Sequence, residues 1–366
     1  MSAGGRRIRV GVLAGGASAE RQISLLTGAQ VASALPAERY EVVLLDPLAL
    51  MVGNPKLTDE QRERARALLT GGPHDAVDAS DAQLPADLRA AVERASSALV
   101  PATSAFGGAS GETRLDVAFI ALHGPWGEDG RIQGVLDTLG VPYTGSGVLA
   151  SALAMDKVMA KTVLAAAGLD VPRGTVVRAP EEALPGARSF GPPWVVKPVA
   201  SGSSFGVSLV DEERRLADAV REALAYDDRA MVEERLSGTE LTCGVIGNDE
   251  PEALPVIEIV PKRAFFDYRA KYDPAASDEI CPARIPDELA RRVQELSLRA
   301  HRALGCRGLS RTDLIAAGDR LPVLEVNTMP GMTANSLLPK AARVAGISFA
   351  ELVERLVRWA LEDARR

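Results

Sequence analysis

Two apolar stretches near the C-terminus carry polar side chains at alternate positions. "LSRTDLI" places Arg311 and Asp313 two apart, and "LPVLEVNTMPGMT" does the same with Glu325 and Asn327. Side chains alternate faces along a strand, so each pair shares one face. The intervening "AAGDR" reads as a hairpin connection. Antiparallel pairing then gathers two carboxylates, an amide and a guanidinium on one surface. Such oxygens suit a hard cation like Mg²⁺, which keeps waters and takes phosphate oxygens as further ligands. The same spacing also fits a half-exposed hairpin with an Arg–carboxylate pair, since any solvated strand face shows alternate polar residues.

A second set lies in "VVKPVASGSSFGVSL". Lys197 ends an apolar strand and offers a point charge for a phosphate. Ser203 and Ser204 follow, between Gly202 and Gly206, in a loop whose amides and hydroxyls can donate to phosphate oxygens. A flexible hairpin tip would read the same way. The chain contains no Walker A motif, and its first glycine turn (Gly11, Gly15, Gly16) does not spell the dinucleotide fingerprint. In "GGASAER", Glu20 is expected in the first turn of a helix. There an acid ordinarily complements the helix dipole. At the carboxyl ends of parallel strands it also faces the usual ligand crevice, where it can hold an ammonium group. "FFDYRAKYDP" loads a long polar loop with Tyr268, Lys271 and Tyr272, the dress of a lid. "LHGPWGEDGRIQG" crowds His123, Glu128 and Asp129 among glycines. A single histidine in such a turn more often serves structure than catalysis.

These residues need elements to place them. "RIRVGVLAGG" then "SAERQISLLTGAQVASAL" reads strand, glycine turn, helix, with Ser18 as N-cap. Residues 40–46 and 116–124 are further buried strands, which predicts a parallel, doubly wound sheet. "DEQRERARALL" reads as a surface helix; no other structure is assigned between 47 and 115. From about residue 150 a helix should run to Gly168, a natural stop. Short strands with tight turns follow ("PWVVKP", "VSLV", "AMVEERL", "GTELTCGVIG"), with a helix at "EERRLADAVREALA". A third stretch holds the strand "LPVIEIV", a polar loop over 261–283, the helix "ELARRVQELSLRAHRALG", the two opening strands and a terminal amphipathic helix.

The 366 residues exceed one ordinary core and predict two or three domains. Aromatics at 4% and a net charge of −7 argue against nucleic acid or anionic lipid as the main partner. Three cysteines without C-x-x-C spacing read as reduced thiols of a cytosolic protein, not a zinc site. The N-terminal apolar run is too short for a signal peptide and no membrane span is expected.

The order of these signals resembles the ATP-grasp ligases. "GGASAERQISL", "LHGPWGEDGRIQGVLDTLGVPYTGSGVLASALAMDK", "GSSFGVS", "DYRAKY" and "LEVNTMPGMTANSLLP" resemble, within that group, the D-alanine–D-alanine ligase family. The likeness runs from about residue 8 to 355 and is weakest over 47–115. It implies an α/β chain with α+β character in its ATP-binding part: a Rossmann-like substrate domain (1–150), a central ATP-grasp lobe (151–243) and a C-terminal lobe with the metal and catalytic residues (244–366). It implies ATP and two Mg²⁺ ions, with Mn²⁺ able to substitute, and a homodimer. Lys157 and Lys197 would hold the α/β-phosphates, with Ser203, Ser204 and Lys271 also on the nucleotide. Glu233, the backbone near Leu236, and Glu240 would meet adenine and ribose. Asp313, Glu325 and Asn327 would bind the metals.

By the same resemblance, Glu20 would fix the ammonium of the first D-alanine, with His123 on the substrate side. Ser336 and Leu337 would receive the carboxylate of the second. Ser203 and Tyr272 would join Glu20 in closing the lid. Lys271, Arg311 and the Gly331 amide would offset the negative charge that builds in both steps. Ser201, Arg269, Leu309, Ser310 and Trp126 depart from the family's usual residues, and none is a proposed metal ligand. Tyr272 favours D-alanine over D-lactate as second substrate. Depsipeptide formation, another ATP-grasp carboxylate–amine ligation, and a non-catalytic nucleotide-binding regulator are the alternatives.

Overall fold

The computed structural model describes residues 6–18, 20–51, 57–70, 100–101, 115–200, 206–262 and 277–364. The chain opens with β1 (Ile8–Leu13), α1 (Arg21–Ala34), β2 (Tyr40–Asp46), α2 (Asp59–Thr70), β3 (Val100–Pro101), β4 (Val117–Ile120) and α3 (Arg131–Leu139). It continues through α4 (Val148–Met155), α5 (Lys157–Ala166), β5 (Gly174–Val177), α6 (Ala183–Ala187), β6 (Trp194–Pro198), β7 (Ser208–Val210), α7 (Leu216–Ala223) and β8 (Ala230–Glu234). It closes with β9 (Thr239–Gly247), β10 (Glu252–Ala253), β11 (Ile257–Pro261), β12 (Ser277–Ile280), α8 (Asp287–Ala303), β13 (Gly308–Ala316), β14 (Val323–Asn327), α9 (Leu337–Val344) and α10 (Phe349–Asp363).

Two compact units emerge: residues 1–148 with 331–366, and residues 149–330. In the first, the strands pair in parallel in the order β3-β2-β1-β4. Val10, Val12, Leu13, Phe119 and Ile120 are buried, as the near-continuous apolar strands predict. Successive strands leave β1 to opposite sides, so the topological switch lies between the ends of β1 and β4. At the start of α2, Thr58 and Gln61 exchange hydrogen bonds as a capping box: the Gln61 N–H donates to Thr58 Oγ1 (3.2 Å) and the Thr58 N–H to Gln61 Oε1 (2.9 Å).

The second unit holds two antiparallel sheets. The smaller runs β5-β8-β6-β7, and α6 and α7 cover it through Trp194, Val196, Val210, Leu216, Val220 and Val232. The larger runs β12-β11-β9-β13-β14, with β10 on β9. Its core joins Leu241, Cys243, Leu314, Val323 and Val326 to Leu164 of α5 and to Val293 and Ala300 of α8. The three cysteines are free thiols, and burial pushes the Cys243 thiol up to about 12.

Several sequence expectations shift. The expected helix from about 150 to Gly168 breaks at Asp156, whose carboxylate accepts the N–H groups of Val158 and Met159 (3.0 Å each) and starts α5 afresh. Ser18 does not cap α1: its hydroxyl accepts the Glu20 N–H (3.2 Å), and Glu20, not yet in the first turn, holds the N-cap position. The expected 261–283 loop contains β12, because Ser277–Ile280 pairs antiparallel with β11. The stretch 212–225 begins as a 3₁₀ turn and becomes α-helical only at Leu216. The terminal amphipathic helix is α10, and α9 precedes it where no helix was expected. β9 crosses the expected boundary at 243, and residues 331–366 group with the first unit.

Candidate active site

Within the second unit, β13 and β14 pair antiparallel with Arg311 opposite Asn327 and Asp313 opposite Glu325. Directly opposed residues point to the same face, so all four side chains share one surface. The other face, with Leu314, Val323 and Val326, is core. The register slips between Asp313 and Leu314, leaving Leu324 without an opposite residue. This bulge lets the polar face end while the core face continues toward Leu321. Arg311 forks onto Asp313 (Nε–Oδ1 2.9 Å, Nη2–Oδ2 2.8 Å), and Thr242 of β9 donates its hydroxyl to Asp313 Oδ1 (2.6 Å). The structural pair, one of the two readings of the spacing, is present, and the register keeps Glu325 and Asn327 on the same face beside it. Asn327 Oδ1 accepts the Met329 N–H (2.8 Å), fixing the amide. Among the described residues no three His, Cys, Asp or Glu side chains converge as a metal cage. Two carboxylates and one amide oxygen fit Mg²⁺, which completes its shell with water and phosphate.

The smaller sheet supplies the positive charge. Glu233 on β8 faces Val195, so Lys197 on β6 is its diagonal neighbour on the same face. Glu233 Oε2 meets Lys197 Nζ at 2.7 Å, and its other oxygen meets Lys161 of α5. All three residues are under one-tenth exposed. Burial pushes Lys197 down, but Glu233 and then Glu325 outweigh it and raise its pKa. Burial, then repulsion from Lys197, brings Lys161 down to about 7 despite the support of Glu233. Burial likewise opposes ionisation of Glu233, and the two ammonium groups still hold it below the usual carboxylate range. Glu325 also favours the charged form of both lysines. Arg320, from the β13–β14 connection, bridges Glu234 and Asp170 (3.0 Å to each), tying the sheets further.

Lys157 is the first residue of α5, and its N–H donates to Val199 O (3.3 Å). That bond sets it beside the end of the Lys197 strand. Leu236 is half-buried in the β8–β9 connection. Glu240 lies on β9 opposite Ile315 of β13, on the same face as Thr242 and Asp313.

In the first unit, Glu20 sits just past the end of β1, where Gly15 and Gly16 turn the chain. Asp46, wholly buried at the end of β2, accepts the N–H groups of Gly16 (3.0 Å) and Leu48 (2.9 Å) and pairs with Arg21 (2.7 Å). Gly15 has a φ of +92°, and a Cβ there would come within 2.7 Å of both Arg21 and Asp46. Gly124, past β4, has a φ of +67°, and a Cβ would stand 3.2 Å from Glu20 Oε2. The Glu20 carboxylate therefore lies at the β1–β4 switch point. His123 is buried there, its Nε2 3.3 Å from Thr27 Oγ1 and its Nδ1 3.7 Å from Glu128. Ser336 is the N-cap of α9; its hydroxyl lies 2.7 Å from Thr333 Oγ1 and accepts the Thr333 N–H (3.2 Å). Leu337 opens the helix, whose first N–H groups can receive a carboxylate. Gly331 packs close enough that a Cβ would stand 2.9 Å from Ser336 Oγ. The Ala334 N–H donates to Gln30 Oε1 of α1 (2.7 Å), anchoring this loop to the helix that follows Glu20.

Ser203, Ser204, Lys271 and Tyr272 lie outside the described residues. Sequence reasoning missed Lys161, Asp46 and Arg21. Lys161 follows Lys157 by four, on the same face of a mostly apolar helix. That second lysine was the available signal.

Family models for the N-terminus and the C-terminus of D-ala D-ala ligase match residues 9–146 and 164–358. A D-alanine–D-alanine ligase of Syntrophobacter fumaroxidans is 44% identical over 98% of this chain and 99% of its own length. One from Desulforudis audaxviator is 44% identical over 97% and 99%. Among solved structures, a D-Ala:D-Ser ligase from Enterococcus faecalis superposes with a TM-score of 0.77 at 29% identity, covering 97% of this chain and 100% of that one. A D-alanine–D-alanine ligase from Bacillus anthracis complexed with ATP gives 0.72 at 29% identity, covering 98% and 99%. With both halves matched and curated relatives alike over nearly the whole length, the chain belongs to the D-ala D-ala ligase family.

Proposed function

We propose that this chain joins two D-alanines using ATP, in the cytoplasm, to supply peptidoglycan precursors. The observation that carries the reading is the register that sets Asp313 opposite Glu325 and Arg311 opposite Asn327, in the same unit as the buried Lys197–Glu233 pair. Hard oxygens on one strand pair and a buried ammonium in the same unit suit the terminal phosphates of a nucleotide. Asp313, Glu325 and Asn327 would hold Mg²⁺, two ions with Mn²⁺ able to substitute, whose charge when bound offsets that of the phosphate oxygens.

A D-alanine carboxylate oxygen attacks the γ-phosphorus, the bond to the β-phosphate oxygen breaks, and D-alanyl phosphate and ADP result. The deprotonated amine of the second D-alanine attacks the acyl carbon. Phosphate leaves with the bonding pair, and the amide nitrogen loses its extra proton. Glu20 would hold the first ammonium, with His123 lining the same turn. The α9 N-terminus at Ser336 and Leu337 would hold the second carboxylate. Arg311, Lys271 and the Gly331 amide would offset charge on the phosphoryl group and the tetrahedral oxyanion. Lys157, Lys197, Ser203 and Ser204 would grip the phosphates, while Glu240 and the backbone near Leu236 meet adenine and ribose. Both oxygens of Glu233 are engaged by ammonium groups, so its carboxylate serves the lysines and its backbone is what remains for the base. The two sheets of the second unit are the two ATP-grasp lobes of this reading, and a homodimer is its assembly.

The test is product analysis with ATP, Mg²⁺ and a mixture of D-alanine, D-lactate and D-serine. With ¹⁸O in the D-alanine carboxylate, the reading requires D-alanyl-D-alanine, one ADP per bond and ¹⁸O in the released phosphate. A depsipeptide or D-alanyl-D-serine product would change the second substrate. No D-alanine-dependent ADP release would leave a non-catalytic nucleotide binder.

A further inference from the structure

We propose that Lys161 is a positioning residue, sharing the Glu233 carboxylate with Lys197 and so fixing the Lys197 ammonium for the nucleotide phosphates. The inference rests on the ATP-binding part of the reading above.

Three ionisable groups from three elements meet in one buried cluster: Lys161 on α5, Lys197 on β6 and Glu233 on β8. Lys161 is 7% exposed, Lys197 9% and Glu233 3%. Each carboxylate oxygen takes one ammonium, Oε1 that of Lys161 and Oε2 that of Lys197. With Lys161 protonated, its ammonium takes up part of the Glu233 charge, and the share of the Lys197 charge left over is what a buried site for a polyanion requires, since a neutral pair would spend its field internally. With Lys161 removed, Glu233 and Lys197 become a one-to-one ion pair, and the charge that Lys197 offers to phosphate is cancelled at 2.7 Å. The geometry also fixes direction. A carboxylate pulled from one side by Lys161 cannot rotate to chelate Lys197 with both oxygens, so the remaining ammonium hydrogens stay turned away from it. Lys161 therefore acts through Glu233 and makes no contact with the nucleotide.

The dependence on Glu233 separates this role from plain stabilisation. Wild type, Lys161→Met, Lys161→Arg, Glu233→Gln and Lys161→Met/Glu233→Gln are compared by calorimetric Kd for Mg·ATP, by KM for ATP and kcat, and by thermal midpoint. Lys161→Met should weaken ATP by roughly ten- to a hundredfold, the range for one charge-assisted contact. KM for D-alanine should change by less than about twofold, and Lys161→Arg should recover most of the loss. In the Glu233→Gln background the Lys161→Met change should be nearly silent, within about twofold, because its only route of action is gone. A lowered midpoint with unchanged Kd and KM for ATP would overturn the proposal. So would an equal loss of ATP affinity in both backgrounds; should Lys161→Met alone not fold, Lys161→Gln in both backgrounds is read instead. A wild type that binds ATP but makes no dipeptide would defeat the ligase reading and leave the Kd comparison to judge Lys161.

Discussion

Arg311→Ala isolates the guanidinium on the polar face of β13. Arg311 holds Asp313 through two hydrogen bonds of 2.9 and 2.8 Å, with side chains only 14% and 16% exposed. Under the proposed ligation, removing it deletes a fixed positive group where charge would develop and frees a carboxylate that would hold the metal. Loss of one such donor lowers kcat by roughly 10²–10³, or about 3–4 kcal/mol in the barrier. The fold should survive, because Asp313 keeps the Thr242 hydroxyl at 2.6 Å and the β13–β14 ladder is untouched. Stability should fall by about 1–3 kcal/mol, the range for a charged hydrogen bond. The assay is D-alanine-dependent ADP release at saturating ATP and Mg²⁺, with a urea titration alongside. KM for ATP should move by less than about threefold, since the contact forms with charge that appears in the transition state. Arg311→Lys should recover only part of the rate, because an ammonium cannot reproduce the bidentate fork. A kcat within about threefold of wild type in a folded Arg311→Ala protein would refute this role.

Asp46→Ala removes the carboxylate that ties Gly16, Leu48 and Arg21 together, leaving Arg21 largely buried without its partner. Stability should drop by about 3–5 kcal/mol in urea, and a loss under about 1 kcal/mol would show that the latch is idle. His301 is almost wholly buried, its Nδ1 2.7 Å from Ser310 Oγ, and burial lowers its pKa from 6.5 to about 4. The unfolded chain therefore binds the proton first as pH falls, and stability should decline between 6.5 and about 4 by about 3 kcal/mol from this residue. His301→Asn should be less stable at pH 7 yet flatten that acid limb; an unchanged slope would remove His301 as its cause. Tyr272→Phe should raise depsipeptide formation when D-alanine and D-lactate compete, and unchanged product ratios across pH would deny the hydroxyl its part in discrimination.

The hairpin of Arg311, Asp313, Glu325 and Asn327 was legible because a period of two survives any reading of the neighbours. The slip past Asp313 was not, since a single extra residue leaves no mark in an apolar run. The β1 turn and Glu20 were placed correctly at a strand end, but the capping was not. Ser18 has the residue type of a cap, and only the start of α1 at Arg21 moves the N-cap to Glu20. Asp156 is a similar case. An Asp inside "SALAMDKVMAKT" reads as one more helical residue until the break is seen to aim its carboxylate at two amides and its neighbour Lys157 at Val199. Lys161 was hidden for another reason. Its importance comes from Glu233, seventy-two positions away, and no local pattern carries a pairing made by two strands and a helix.

The most direct test of the account is the anomalous scattering of Mn²⁺ in crystals grown with ADP and a phosphinate analogue of the acyl-transfer step. The account predicts peaks bonded to oxygens of Asp313, Glu325 and Asn327 and to the nucleotide's phosphates, with the Lys197 ammonium on a phosphate oxygen. Manganese bound elsewhere, or phosphates seated away from that strand pair, would contradict it.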